Sequence, residues 1–308
     1  MVSPDLTTIR EALRWAGKQL ADIADRPHAE AERLLASVLE VERTTLLTHP
    51  EWDLQAMQVR RFAEIVNQRS QGTPLPYILG HVEFFGLELA VTSDVLIPRP
   101  ETELLVEMAL NRMLAHPHGR VVDVGTGSGC IAVALARAAP DAHIYATDIS
   151  TQALAVARRN GLSHSVGKRI TWVQADLLSP FAAPIDLIVS NPPYVAGSEW
   201  QDLPYSVRQE PRLALLAGAD GLDVIRRLLR QAERCLATDG CLLTEIGESQ
   251  ASAVLALARV AFAGPRFRAA DVQIHRDLAG KDRLLEVTLA GPVDGLDPEW
   301  RDRISRAG

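Results

Sequence analysis

Val121-Val122-Asp123-Val124, followed by Gly125-Thr126-Gly127-Ser128-Gly129-Cys130, is the stretch whose reading decides the fold. An apolar run interrupted by one carboxylate predicts a buried strand, and the alternating glycines predict a sharp turn that opens a helix over 130–139. A dinucleotide fingerprint, G-x-G-x-x-G, wants glycine where Cys130 stands. The pattern here is G-x-G-x-G, a turn that accommodates a ligand such as S-adenosylmethionine at its amino-acid end.

C-terminal to this turn, strands and helices alternate. Strands are predicted at 144–148, 170–174, 185–190 and 241–245, helices at 151–160 and 222–236, then a final helix and two late strands near 267–274 and 283–289. Such alternation gives an α/β domain, a mostly parallel sheet with helices on both faces, with ligands beyond the C-terminal ends of its strands.

N-terminal to it the periodicity is helical. Ile9, Leu13, Ala16, Leu20 and Ile23 form one stripe over 8–24, with Thr8 and Glu11 at capping-box spacing. Pro27 suits the first turn of a second helix, Leu46 and Leu47 a short third, and Asp53 the cap of a long one that stops near Gly72-Thr73-Pro74. Residues 1–75 thus read as a helical bundle whose stripes are core packing. Residues 76–98 read as a β-hairpin linker turning near Phe85-Gly86, residues 99–290 as the α/β domain, and 291–308 as a polar tail. In Ile97-Pro98-Arg99-Pro100-Glu101-Thr102-Glu103 the prolines stiffen the chain and Pro100 begins a helix.

Composition excludes several classes. The 308 residues carry 32 Lys+Arg against 39 Asp+Glu, a net charge of −7, and no Lys/Arg stripe, which counts against a broad duplex-binding face. Cys130, Cys235 and Cys241 lack CxxC spacing, so a reduced, cytoplasmic protein is expected. The N-terminus does not read as a signal peptide, and the apolar segments 131–139 and 253–263 are broken by Arg137 and Arg259, so no membrane span is expected. His81, His116, His118, His143, His164 and His275 show no metal-ligand spacing; no metal is expected. Gly247-Glu248-Ser249-Gln250 fails the G-x-S-x-G elbow of serine hydrolases.

Three carboxylates and one tetrapeptide carry the candidate chemistry. Asp148 ends the strand after the glycine turn, where it either caps the next helix or accepts both hydroxyls of a ribose. Asp176 either caps a turn or accepts an adenine amino group. Asp123, inside an apolar strand, needs donors from backbone amides or a ligand ammonium. Asn191-Pro192-Pro193-Tyr194 sits at the mouth of the sheet. Prolines terminate a strand, but the Asn191 side-chain oxygen and a carbonyl of the proline pair can also accept both hydrogens of one planar NH2 group. Tyr194 can pack its ring against that group, leaving the nitrogen lone pair aimed at an electrophilic methyl.

These residues resemble a known family, the PrmC/HemK protein-(glutamine-N5) methyltransferases of bacterial peptide-chain release factors. The similarity runs through Leu79-Gly80, Glu83-Phe84 and Gly86, residues 96–103, 123–129 and 191–194, Glu210-Pro211, Leu215 and 218–222. It continues through Glu245-Ile246-Gly247 with Gln250, and Arg276-Asp277-Leu278 with Gly280 and Arg283. The resemblance implies a Rossmann-like S-adenosylmethionine-dependent methyltransferase domain behind a release-factor-docking bundle. It implies a substrate in the glutamine of the GGQ motif. It places Gly125, Thr126, Gly127 and Gly129 near the methionine end of the cofactor, Asp148 on ribose and Asp176 near adenine. Asn191, Pro192, Pro193 and Tyr194 would hold the target amide, and Arg99 and Glu101 would sit near the cleft. A methyltransferase for adenine N6 or guanine N2 of nucleic acid shares the tetrapeptide and is the alternative.

Overall fold

The computed structural model describes residues 6–116, 119–182, 184–264 and 269–290. The expected tail at 291–308, His118 and the start of the late strand at Phe267 lie outside the described residues.

Five helices come first: α1 (Ile9–Gln19), α2 (Pro27–Leu39), α3 (Arg43–Thr48), α4 (Ala56–Ser70) and α5 (Leu75–Leu79). Thr8 caps α1, its hydroxyl accepting from the Glu11 amide at 3.4 Å while Glu11 reaches back to the Thr8 amide. The helix stops at Gln19, short of the expected residue 24, and leaves Ile23 exposed. Asp53 does not cap the long helix. The Ile9 amide donates to the Trp52 carbonyl and the Leu54 amide to the Thr7 carbonyl, holding this segment extended beside the start of α1. Helix α4 therefore begins only at Ala56, behind Gln55, whose amide donates to the Gln58 side chain at 2.8 Å.

Ile9, Leu20, Leu34, Leu35, Leu46 and Phe62 are fully buried in this bundle, and Leu75, Ile78 and Leu79 of α5 join its core. Arg69 of α4 is buried with them, 2.6 Å from Glu30 of α2 and donating to the carbonyls of Ile23 and Thr73.

The hairpin follows as β1 (His81–Phe84) and β2 (Leu87–Ala90), antiparallel. Its two-residue turn puts Phe85 at φ 51° and Gly86 at φ 69°, the pair of left-handed residues that suits the strand twist. The Phe85 amide donates to Glu103 at 2.8 Å, anchoring the turn to helix α6 (Glu103–Ala115).

The α/β domain contains β3 (Val121–Val124), α7 (Cys130–Ala138), β4 (Ile144–Asp148), α8 (Thr151–Ser163), β5 (Ile170–Gln174), β6 (Ile185–Ser190), α9 (Asp223–Cys235), β7 (Leu236–Glu245), α10 (Ala251–Ala261), β8 (Ala269–Arg276) and β9 (Asp282–Ala290). The seven strands are ordered β5-β4-β3-β6-β7-β9-β8, parallel from β5 to β7, with β9 antiparallel to both its neighbours. Alternate strand residues face opposite ways. Val121, Ile144, Ala146, Leu187, Val189 and Leu243 pack against α6 and α7. Val122, Val124, Ile188, Leu242 and Leu285 pack against α9 and α10. The chain leaves β3 toward β4 on one side and pairs with β6 on the other, and the crevice at that reversal lies at the strands' C-terminal ends.

Candidate functional site

A cleft of about 410 Å³ opens at this reversal, bordered by the glycine turn, Asp148, Asp176, Asn191 and Pro193. Gly125, Gly127 and Gly129 all have positive φ, at 73°, 55° and 81°. A Cβ on Gly125 would meet no protein atom within 4 Å, whereas one on Gly129 would lie 3.0 Å from that of Ala157 in α8. One glycine thus leaves open space beside the cleft and another permits close helix packing, two separate reasons for lacking a side chain.

Asp123 lies fully buried below the turn. Its Oδ2 accepts from the Thr126 hydroxyl at 2.6 Å and the Ala132 amide at 3.2 Å, while Oδ1 has no partner among the described residues. Burial pushes its carboxyl up to about 7, against those two donors. Asp148 accepts from the Gly127 amide and, with its other oxygen, from the Ser150 amide, both at 2.9 Å. It therefore locks the glycine turn to the end of β4, and the helix cap is Ser150, which accepts from the Ala153 amide. Burial raises the Asp148 carboxyl above its ordinary range. Asp176, half-exposed, is paired with Arg227 of α9, which also lines the cleft.

Asn160 of α8 joins the linker to the turn. Its side chain accepts from the Ala90 amide at 2.8 Å and donates to the carbonyls of Ala90 and Ser128 at 2.9 and 2.8 Å. Cys130, next to the last glycine of the turn, also lines the cleft; burial pushes its thiol up to about 12.

At the end of β6, the Asn191 side chain donates to the Thr102 hydroxyl at 3.0 Å. Thr102 in turn donates to Glu245 at 2.7 Å, and Tyr194 donates to the same carboxylate at 3.2 Å. Burial raises the Glu245 carboxyl, opposed by the two hydroxyl donors and by the charge of Arg283. Desolvation, then the Glu245 charge, raises the Tyr194 phenol. Gln250 donates to the Tyr194 carbonyl at 2.9 Å, holding the loop from below.

The structure brings Gly125, Thr126, Gly127, Asp148, Asp176, Asn191 and Pro193 around one cleft. Pro192 is buried behind it, and Tyr194 turns its hydroxyl toward Glu245. Arg99 and Glu101 do not line the cleft. Arg99 is 2.5 Å from Glu210, whose other oxygen accepts from the Ile97 amide at 3.0 Å, and Glu101 is exposed. Thr102, Glu245 and Glu210 received no role from the sequence. The available signal was a carboxylate ending the apolar run 241–245.

The open space over Gly125, the backbone-anchored carboxylate Asp148 and the unpartnered Asp123 oxygen fit a ligand with a ribose and a cationic amino-acid end. Among the described residues, no group of three or more His, Cys, Asp or Glu is arranged to hold a metal, and no helix is long and apolar enough to cross a membrane.

Comparison with known proteins gives the family. Residues 11–80 match the family described as PrmC N-terminal domain, and residues 100–206 that described as Methyltransferase small domain. The chain is 42% identical over 278 residues to the release factor glutamine methyltransferase of Moorella thermoacetica, covering 90% of this chain and 96% of that one. It is 36% identical over 284 residues to the protein of the same description from Bacillus anthracis, covering 90% and 98%. Among solved structures, the hMettl16 catalytic domain in complex with an RNA hairpin shares the fold, with a TM-score of 0.53 at 16% identity over 79% of this chain and 84% of that one. The α/β domain is a Rossmann-like, S-adenosylmethionine-dependent methyltransferase. Matched over residues 11–80 and 100–206 by these family models, and along nearly the whole length of its relatives, the chain belongs to the family of release factor glutamine methyltransferases.

Proposed function

We propose that this enzyme methylates the side-chain amide nitrogen (N5) of the glutamine in the GGQ motif of bacterial class I peptide-chain release factors, in the cytoplasm. The observation that carries the reading is Asn191. Its nitrogen is tied inward to Thr102, its oxygen has no partner among the described residues, and the side chain lines the cleft beside the glycine turn.

An amide nitrogen is a weak nucleophile because its lone pair is delocalised into the carbonyl. When bound, S-adenosylmethionine supplies an electrophilic methyl carbon on a sulfonium centre. The work left to the chain is binding and aim. We assign Gly125, Thr126, Gly127 and Gly129 to the methionine end with Asp123 beneath them, and Asp148 to the ribose hydroxyls. Asp176 is assigned to the adenine amino group, for which Arg227 must yield. The Asn191 oxygen and the Pro192 carbonyl accept the two N–H hydrogens of the target amide. This fixes the NH2 plane and favours pyramidalisation as the new N–C bond forms in place of the methyl's C–S bond, whose electron pair stays on sulfur as a neutral thioether. The nitrogen then sheds one hydrogen as a proton to solvent or a backbone carbonyl. Pro193 and the Tyr194 ring confine the amide from the side. Arg99 and Glu101 are assigned to the substrate-facing rim.

The helical bundle is proposed to dock the release factor. A nucleic-acid amino group is the less favoured substrate, since the relatives that match along the whole chain are described as acting on release factors. The test incubates the protein with isotopically labelled S-adenosylmethionine and a release factor, then locates the label by peptide mass spectrometry. Label on the GGQ glutamine, absent when that glutamine is replaced, supports the reading. Label on nucleic acid alone overturns it.

A further inference from the structure

We propose that Thr102 and Glu245 are positioning residues that decide which end of the Asn191 amide faces the substrate. The proposal rests on the reading of Asn191 given above.

Thr102 and Glu245 are each only 1% exposed and 143 residues apart in sequence. Thr102 ends the short turn Pro100–Thr102 ahead of α6, and Glu245 ends β7, so this turn and the sheet meet behind the Asn-Pro-Pro-Tyr loop. A threonine hydroxyl has one hydrogen, and a carboxylate can only accept. At 2.7 Å from Glu245, the Thr102 hydrogen is committed to the carboxylate, and the oxygen is left as an acceptor. Tyr194 commits its hydrogen to the other carboxylate oxygen at 3.2 Å.

The Asn191 amide can then present only its NH2 to Thr102, which it does at 3.0 Å. A flipped amide would set oxygen against oxygen with no hydrogen between them, inside a buried site where the loss is not repaid by water. The carbonyl end of Asn191 is thereby held toward the cleft, the end needed to accept from a substrate NH2. If the NH2 end faced the cleft, donor would meet donor and the target nitrogen would lose its alignment. Orientation passes from the carboxylate through one hydroxyl to the amide; Thr102 borders the cleft beside Asn191, whereas Glu245 does not line it.

The test uses four variants of the full chain: Thr102→Val, Thr102→Ser, Asn191→Ala and the double variant Thr102→Val/Asn191→Ala. Each is assayed for kcat on a release factor and for the Kd of S-adenosylmethionine. Thr102→Val should lower kcat about 10- to 100-fold with the cofactor Kd within about twofold, in keeping with the loss of one orienting hydrogen bond. Thr102→Ser should restore kcat, and the double variant should be no slower than Asn191→Ala alone. Thr102→Ala, which removes the hydroxyl without adding volume, replaces the valine variant if that one loses cofactor binding.

A hydroxyl-free variant with wild-type kcat, beside an impaired Asn191→Ala, would overturn the relay and leave the functional reading standing. Losses that multiply in the double variant would also overturn it, because Thr102 would then act by another route. Full activity in Asn191→Ala would instead remove the functional reading on which the relay depends.

Discussion

Asp123 is a carboxylate on the buried face of a central strand, and its cost depends on pH. Its folded-state pKa, about 7, lies above the ordinary 3.8. Between those values the folded protein holds a proton that the unfolded chain has lost, so stability falls as pH rises through that window. Replacement by Asn removes this dependence. From pH 5 to pH 8, wild type should lose about 2–3 kcal/mol relative to Asp123→Asn, read from urea midpoints at the two pH values. Equal pH slopes for the two proteins would contradict the assignment. The candidate residues Asp148 and Asn191 were legible because each ends a readable strand, where α/β ligands gather. Thr102 and Glu245 were not legible as a pair. They meet only through the fold, and sequence spacing carries no information about contacts 143 residues apart.

At the scale of elements, most strands and helices follow from local patterns, and the differences have local causes. Asp53 looked like a cap, but pairing with the start of α1 keeps its segment extended. Strand β7 begins at Leu236, earlier than the apolar run at 241–245, because pairing with β6 reaches back to Leu236. Asn160 shows how one side chain can join elements that patterning treats separately. It fills backbone hydrogen-bonding positions on β2 and on the glycine turn. Asn160→Ala should cost about 2 kcal/mol by leaving buried backbone groups without partners. It should also speed hydrogen exchange at the Ala90 amide and weaken cofactor binding severalfold. Thermal unfolding, exchange mass spectrometry and calorimetric titration check the three effects. A change in stability with unchanged exchange at Ala90 would sink the proposed link.

For the whole molecule, alternation of strands and helices predicted a mostly parallel sheet with its crevice at the strand ends, and that is the observed arrangement. The insertion of β9 between β7 and β8 was not readable, since apolar strands at an edge and one place inward carry the same pattern. The bundle has its own core, and Arg69 with Glu30 supplies its buried ion pair. Arg69→Ala would leave Glu30 without that partner and open the carbonyls of Ile23 and Thr73, a loss of about 3 kcal/mol. If the bundle docks the release factor, the KM for that substrate should rise severalfold while the Kd of S-adenosylmethionine stays within about twofold. A cofactor Kd that moved in step with the KM would show that the defect had spread to the catalytic domain.

Cys130 has a bearing on how such an enzyme survives its own reagent. Sulfonium methyl groups are soft electrophiles, and an ionised sulfur is the partner they react with most readily. A thiol at its ordinary 9.0 already holds only about one thiolate in a hundred at neutral pH, and burial, which pushes Cys130 up to about 12, lowers that fraction further beside the cleft. The desolvation that raises this thiol should thus also slow its alkylation by a methyl donor held in the cleft, which mass spectrometry of protein incubated with S-adenosylmethionine would check at Cys130.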